Sequence, residues 1–449
     1  MKLPHHSLAL NPLQAVIAAL LLSASVLNTA YAEPIAAATV AIPARTPVSS
    51  DRLATSNYGM STFIWNNPST TARDLSTLQA ADFGWQKTLF KWRDMNPDPG
   101  AYNFNESDRV VSASNQAHIK IIARIDFQPW WSRSDQTYVN ARPDNPQWYA
   151  DFVRVFADRY KTGSVFGHVD AIEVWNEPNL QREWGDTISP QSAADYVRLL
   201  QLTYATVKAV DPGIQVITAG LSPTGVSDGT AAPDDQYLQW MYNAGLSGNY
   251  DVLGLNANAQ VADPTAAPGS VDGFADGSFY FRRVEQMRAI EEQNGDTRPV
   301  WLMEFGWTSD PIHPDRAWYA VSEVQKSASI QAAMQYARTN WPWMGVMTLW
   351  GMPDPTWTPD REEYWWMVTS PDGTDRPAIV DLIGAAQANL LPIASPVAPY
   401  PTSMVASTPS SADASVAAAT STTGDGAVAA DSSPAAAAAD ITLFLDDRF

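Results

Sequence analysis

AIEVWNEP, residues 171–178, decides how this chain is read. Its first half is an apolar, β-branched run broken only by Glu173, the pattern of a parallel strand covered on both faces. Its second half turns polar, so the strand's end emerges at a surface that carries Glu177. Seven further runs share this form: YGMSTFIW (58–65), FGWQKTLF (83–90), IKIIARIDF (119–127), IQVITAGLS (214–222), DVLGLNANA (251–259), VWLMEFGW (300–307) and GVMTLWGM (345–352). Between them, helical patterns lie near 72–81, 106–117, 146–160, 281–294, 322–339 and 377–389. The clearest helix of all starts at the capping residue Ser189 with Pro190 behind it. It repeats Ala193, Val197, Leu200, Tyr204 and Val207 and stops at Asp211-Pro212-Gly213. Eight strand and helix units predict an α/β fold, a (β/α)8 TIM barrel forming a single catalytic domain over 55–392. An open doubly wound sheet is the runner-up. No Gly-rich phosphate turn follows its first strand, which removes the nucleotide-binding form of that alternative.

In such a barrel, reactive side chains sit where strands leave at their C-terminal ends. Glu177 closes the fourth strand and Glu304 lies near the end of the seventh, so both are expected in one mouth. Two carboxylates are the minimal machinery for breaking a glycosidic bond. One holds a proton for the departing oxygen while the other stays ionised, so the two need opposed surroundings. Glu173 has no comparable setting and reads as a structural ion-pair partner.

Three motifs together resemble clan A glycoside hydrolases, most closely family 39, over residues 55–392. WNEP (175–178) resembles the clan's fourth-strand acid/base site, EFGW (304–307) its seventh-strand nucleophile site, and KWRDMNPDPGAYNF (91–104) the family's W-x-x-x-x-P-x-x-G-x-Y-x-F pattern. The resemblance implies a retaining β-glycosidase with Glu304 as nucleophile and Glu177 as acid/base, Asn176 holding a sugar 2-hydroxyl and Trp350 as a sugar platform. Retention needs the carboxyl groups roughly 5 to 5.5 Å apart, against about 6.5 to 9.5 Å for inversion. The chain departs from the clan in two places. Asn256-Ala257-Asn258 stands where many members carry His-x-Tyr on the sixth strand. The second strand also lacks the clan's Arg, with Lys87, Lys91 and Arg93 as the nearest cations. Asn256 and Asn258 are therefore expected to shape the sugar subsite.

Aromatic rings at predicted strand ends extend the carbohydrate reading. Trp65, Trp130, Trp131, Trp307 and Trp350 are candidate platforms, with Trp175, Trp184 and Trp357 in similar places; each taken singly is as well explained by core packing. Asn176, Asn179, Asp126 and Gln128 are candidate polar partners, although Asp126 is equally suited to pairing with Arg124 or Lys91. The segment 263–278 reads as a flexible loop at the mouth.

Composition bounds the rest. There is no cysteine, so neither disulfides nor thiolate metal sites contribute, and the few scattered histidines predict no metal and no cofactor. A net charge of −20 spread along the chain argues against nucleic acid and anionic membranes. An oligo- or polysaccharide is the expected partner, and a monomer the expected state. Lys2, the apolar run 15–27 and Ala30-Tyr31-Ala32 predict a signal peptide over 1–32, export to the periplasm or medium, and no membrane span. A leader (33–54) and a tail (393–449) rich in Ala, Ser, Thr and Pro read as disordered, the tail ending in the apolar ITLFLDDRF (441–449), a docking segment or a terminus without a role. Endo action on a polysaccharide is favoured. An exo-acting β-xylosidase-like enzyme and a non-catalytic carbohydrate-binding barrel stay open, because a fold alone does not fix function.

Overall fold

The computed structural model describes residues 57–392; the signal, the leader, the tail and its apolar end lie outside the described residues. All eight predicted strands form: β1 (Tyr58–Thr62), β2 (Trp85–Lys91), β3 (Lys120–Asp126), β4 (Ala171–Val174), β5 (Gln215–Thr218), β6 (Leu253–Asn258), β7 (Val300–Gly306) and β8 (Met344–Leu349). They pair in parallel in the order β5-β4-β3-β2-β1-β8-β7-β6. Between β5 and β6 only two isolated parallel bridges form, Ile217 with Val252 and Leu221 with Leu255, so the barrel nearly closes.

One long helix follows each strand: α1 (Pro68–Ala80), α2 (Asn105–Gln116), α3 (Pro146–Arg159), α4 (Pro190–Val210), α5 (Asp234–Asn243), α6 (Arg283–Gln293), α7 (Glu323–Asn340) and α8 (Pro377–Gln387). α4 starts as its sequence dictates. Ser189 accepts from the Ser192 amide while the Ser192 hydroxyl accepts from the Ser189 amide, and Pro190 fills the first turn. α5 escapes the periodicity reading because its first turn is Asp234, Asp235 and Gln236. Pro233 ahead of those acids and the buried face of Tyr237, Leu238, Met241 and Tyr242 were the available signal.

Side chains alternate across each strand, and this sets the interior in layers. Trp85, Ile122, Ala171, Ile217, Trp301 and Val346 pack as an apolar floor. Two residues further along β2, β3 and β4 stand Lys87, Arg124 and Glu173, all buried, so the interior turns charged toward the mouth. The floor needs glycine at position 345 on β8. A Cβ there would lie 2.1 Å from the Trp301 indole nitrogen.

Candidate active site

Alternation alone would not bring Glu304 into the mouth. Its neighbour Met303 packs with the interior floor, so in a regular strand Glu304 would point outward. The pairing of β6 with β7 slips at this point, from Leu255 opposite Leu302 to Asn256 opposite Glu304. This irregularity, a β-bulge, skips Met303 and re-aims Glu304 inward.

Glu177 arrives by a different route. β4 ends at Val174, earlier than the apolar run suggests, and the chain then passes through Trp175 at φ 74° and Glu177 at φ 37°. Such backbone is costly for side-chain-bearing residues and persists only where the surroundings over-determine it. Here they do. The Trp175 amide donates to the Ile125 carbonyl (3.2 Å), its buried indole donates to the Glu183 carbonyl (2.7 Å), and the Leu180 amide donates back to the Glu177 carbonyl (3.0 Å).

The two carboxyl groups meet around one small cavity lined by Arg124, Asn176, Glu177, Arg182, Glu304, Trp350 and Glu363. Its volume of about 10 Å³ holds one water at most. Their settings differ in kind. Glu304 accepts from Lys87 Nζ at 3.0 Å, and the same ammonium lies 3.1 Å from Glu173 on β4. Burial opposes the Lys87 charge, but Glu173 and Glu304 together outweigh it and hold its pKa above the usual lysine range. Glu177 accepts from Arg182 at 3.1 Å and from Asn256 Nδ2 at 3.0 Å. Burial pushes its pKa up to about 7, aided by the charges of Glu304 and Glu183 and opposed by Arg182 and the Asn256 bond. One carboxylate thus has a buried cation beside it, and the other is poised to keep a proton near neutrality.

Arg124 and Trp350 also line a groove of about 640 Å³ that runs along β1, β2 and the loop after β8. Its walls carry Phe63 and Trp65, the amides Asn66 and Asn67, and Asp354, Thr356, Asp360 and Arg361. Lys87 and Lys91 reach it as well.

Of the residues singled out from sequence, Asn176, Glu177, Glu304 and Trp350 converge on the small cavity, Asn256 reaches Glu177, and Trp65 lines the groove. The others are placed elsewhere. Asp126 is fully buried behind Arg124 (3.2 Å), burial raising its pKa to about 7. Gln128 accepts from the Ala141 amide and Asn179 brackets Ser222 and Ala232, both as loop braces. Trp307 is in the core with its indole donating to Val261, which corrects its reading as a platform. Trp131 packs edge-on against Trp92 and Trp148 and donates to the Asn96 carbonyl. Trp130 stands exposed at the rim with the Arg93 guanidinium 4.5 Å from its ring. Asn258 is buried at the end of β6, and its Oδ1 has no hydrogen-bond partner. Trp175 and Trp184 pack together inside, and Trp357 lies against Phe63. Glu173 is the ion-pair partner its sequence setting suggested. Arg182 and Glu363 escaped notice because nothing local marks a residue of a short helix, here Gln181–Trp184 and Glu363–Trp366, that folds back over a strand end. The dense run of Asp, Thr, Arg and Glu over 354–363 was the nearest signal.

No family model matches the chain. It is 34% identical over 125 residues to a β-xylosidase of Geobacillus stearothermophilus, a stretch that is 26% of this chain and 24% of that protein. The match therefore spans about a quarter of the length of that curated relative. Among solved structures, a family 39 glycoside hydrolase from Bacteroides cellulosilyticus WH2 superposes with a TM-score of 0.57 at 18% identity, covering 76% of this chain and 65% of that one. A family 39 enzyme from Xanthomonas axonopodis pv. citri does so with a TM-score of 0.53 at 19% identity, covering 76% and 67%. Those two likenesses establish the barrel fold, and the xylosidase match adds sequence. The chain is accordingly most like the clan A glycoside hydrolases of family 39.

Proposed function

We propose that this chain is a retaining β-glycoside hydrolase that cuts within an extracellular polysaccharide, with Glu304 as nucleophile and Glu177 as acid/base. The observation that carries the reading is the opposed setting of two glutamates on one cavity, Lys87 beside one and a burial-raised pKa of about 7 on the other. Ionised Glu304 attacks the anomeric carbon while Glu177 gives its proton to the departing oxygen. Glu177 then takes a proton from water, which attacks the anomeric carbon and releases Glu304. Asn176 and Trp350, on the same cavity, would hold the sugar being cut.

The groove supports cleavage inside a chain. The leaving group must depart on the Glu177 side, from β4. The groove lies instead along β1, β2 and β8 beside Lys87 and Arg124, and on this reading it takes the retained sugars. A volume of about 640 Å³ exceeds what a single sugar ring fills, given that whole drug-sized ligands occupy about 300–1,000 Å³. The free cavity between the glutamates is too small for a sugar, so its lining must widen when substrate enters.

The test is a polysaccharide panel digested by the wild type, Glu177→Gln and Glu304→Gln, with products sized and the anomeric configuration of the first product read by proton NMR. Early oligomers with retained configuration, lost in both variants, are expected. Monosaccharide alone means exo action, and inverted product overturns the nucleophile assignment. Binding without products makes the barrel a carbohydrate-binding protein.

A further inference from the structure

We infer that Asn256 and Arg182 are positioning residues that hold the Glu177 carboxyl from two sides and set the pH at which it carries its proton; this rests on the acid/base role proposed above. Each carboxylate oxygen has its own donor, from separate elements. Oε1 accepts from Asn256 Nδ2 on β6 at 3.0 Å, and Oε2 accepts from Arg182 in the short helix Gln181–Trp184 at 3.1 Å. Bonds to both oxygens fix the plane of the carboxyl group as well as its place.

The Asn256 seat is built for this contact. Gly220 beyond β5 makes room for it, since a Cβ there would lie 2.2 Å from Asn256 Oδ1. Asn256 is buried, and its Oδ1 has no hydrogen-bond partner. An amide also offers a donor at one end and an acceptor at the other. Asn256 donates to ionised Glu177 and, turned about its last bond, accepts from the protonated acid, so it serves both states that a retaining cycle visits.

The charged groups facing Glu177 are Arg182 and Glu183 from the segment after β4 and Glu304 from β7, with Arg124 of β3 and Glu363 of the loop after β8 around the same cavity. Glu304 and Glu183 favour the proton. Arg182 and the Asn256 donor oppose it and keep the acid from staying protonated when the second half-reaction needs a base.

The experiment follows the Glu177 carboxyl carbon by NMR in protein carrying ¹³C-labelled glutamate, the resonance being the one absent from Glu177→Gln. Arg182→Ala and Asn256→Ala are each expected to move its titration upward, by about one pH unit for Arg182. Asn256→Asp adds a like charge and should move it further, Gly220→Ala should reproduce Asn256→Ala by displacing the amide, and Arg182→Lys should restore most of the wild-type value. A Glu177 titration unchanged in both alanine variants overturns the inference. The readout does not depend on hydrolysis. A chain with shifted titrations and no glycosidase activity would sink the proposed function alone, whereas an active chain with unmoved titrations would sink the positioning role alone.

Discussion

Replacing Lys87 with methionine isolates the electrostatics of the barrel interior. The ammonium lies 3.1 Å from Glu173 and 3.0 Å from Glu304, and all three side chains are at most 5% exposed. Methionine keeps the volume and removes the charge, leaving two buried carboxylates with Arg124 as the remaining cation nearby. Breaking a buried pair by removing one partner costs about 3–5 kcal/mol, and here one cation serves two anions, so the upper half of that range is expected at pH 8. The deficit must depend on pH. Burial already holds the Glu173 pKa above the usual carboxylate range despite Lys87 and Arg124, and loss of Lys87 raises it further. A carboxylate whose folded pKa lies above its unfolded value weakens the fold as pH rises through the folded value, and the penalty disappears below the unfolded value of about 4.3. The stability difference from wild type should thus shrink by at least about 2 kcal/mol between pH 8 and pH 5, as Glu173 takes up the proton that replaces the ammonium. Urea unfolding of both proteins at the two pH values reads this directly. The double variant Lys87→Met with Glu173→Gln should recover most of the loss at pH 8. A deficit below about 1 kcal/mol, or one equal at both pH values, would refute the reasoning, because either result means that solvent reaches the interior charges and screens them.

From the acid/base role proposed for Glu177, kcat/KM of the wild type should fall as pH rises through about 7, and the Glu177→Gln variant should lose that limb along with its activity. Trp350→Ala removes a ring shared by the cavity and the groove; oligosaccharide binding measured calorimetrically should weaken about 10- to 100-fold, and unchanged affinity would remove Trp350 from the sugar site. Gly345→Ala forces a methyl group to within 2.1 Å of the Trp301 indole and should cost about 1–3 kcal/mol, whereas Gly384→Ala in α8, with nothing within 4 Å of the new Cβ, should stabilise by about 0.4–1 kcal/mol. Thermal melts of the two variants should therefore move in opposite directions.

The fold was legible because its information is repetitive. Each of eight strands is covered on both faces and so spells itself as an apolar run, while turn chemistry such as Ser189-Pro190 and Asp211-Pro212-Gly213 punctuates the helices. The two glutamates were legible because each stands at or near the C-terminal end of such a run. Rim and core tryptophans read alike in sequence, since both follow an apolar strand run. Trp307 follows β7 into the core and donates to Val261, whereas Trp350 follows β8 onto the cavity. Period-two counting likewise places Met303 and Glu304 on opposite faces, and only the slip in β6–β7 pairing puts both inside.

That slip also sets what Asn256 of the sixth strand can reach. Where Asn256 faces Glu304 across the β6–β7 ladder, its side chain crosses the mouth and bonds Glu177 instead of Glu304. The contact to Glu304 comes from Lys87 on β2, on the far side of the interior. The two carboxylates are therefore supported from different elements, Glu304 by the Lys87 ammonium and Glu177 by the Asn256 amide together with Arg182. A single residue bonded to both glutamates would couple their protonation states, because any change at one would be felt through the shared partner. Separate supports let the surroundings of Glu177 change without disturbing those of Glu304. The double variant Lys87→Met with Asn256→Ala should accordingly show nearly additive effects on the Glu177 titration. Non-additivity beyond the direct Glu177–Glu304 repulsion would mean that the two supports act as one.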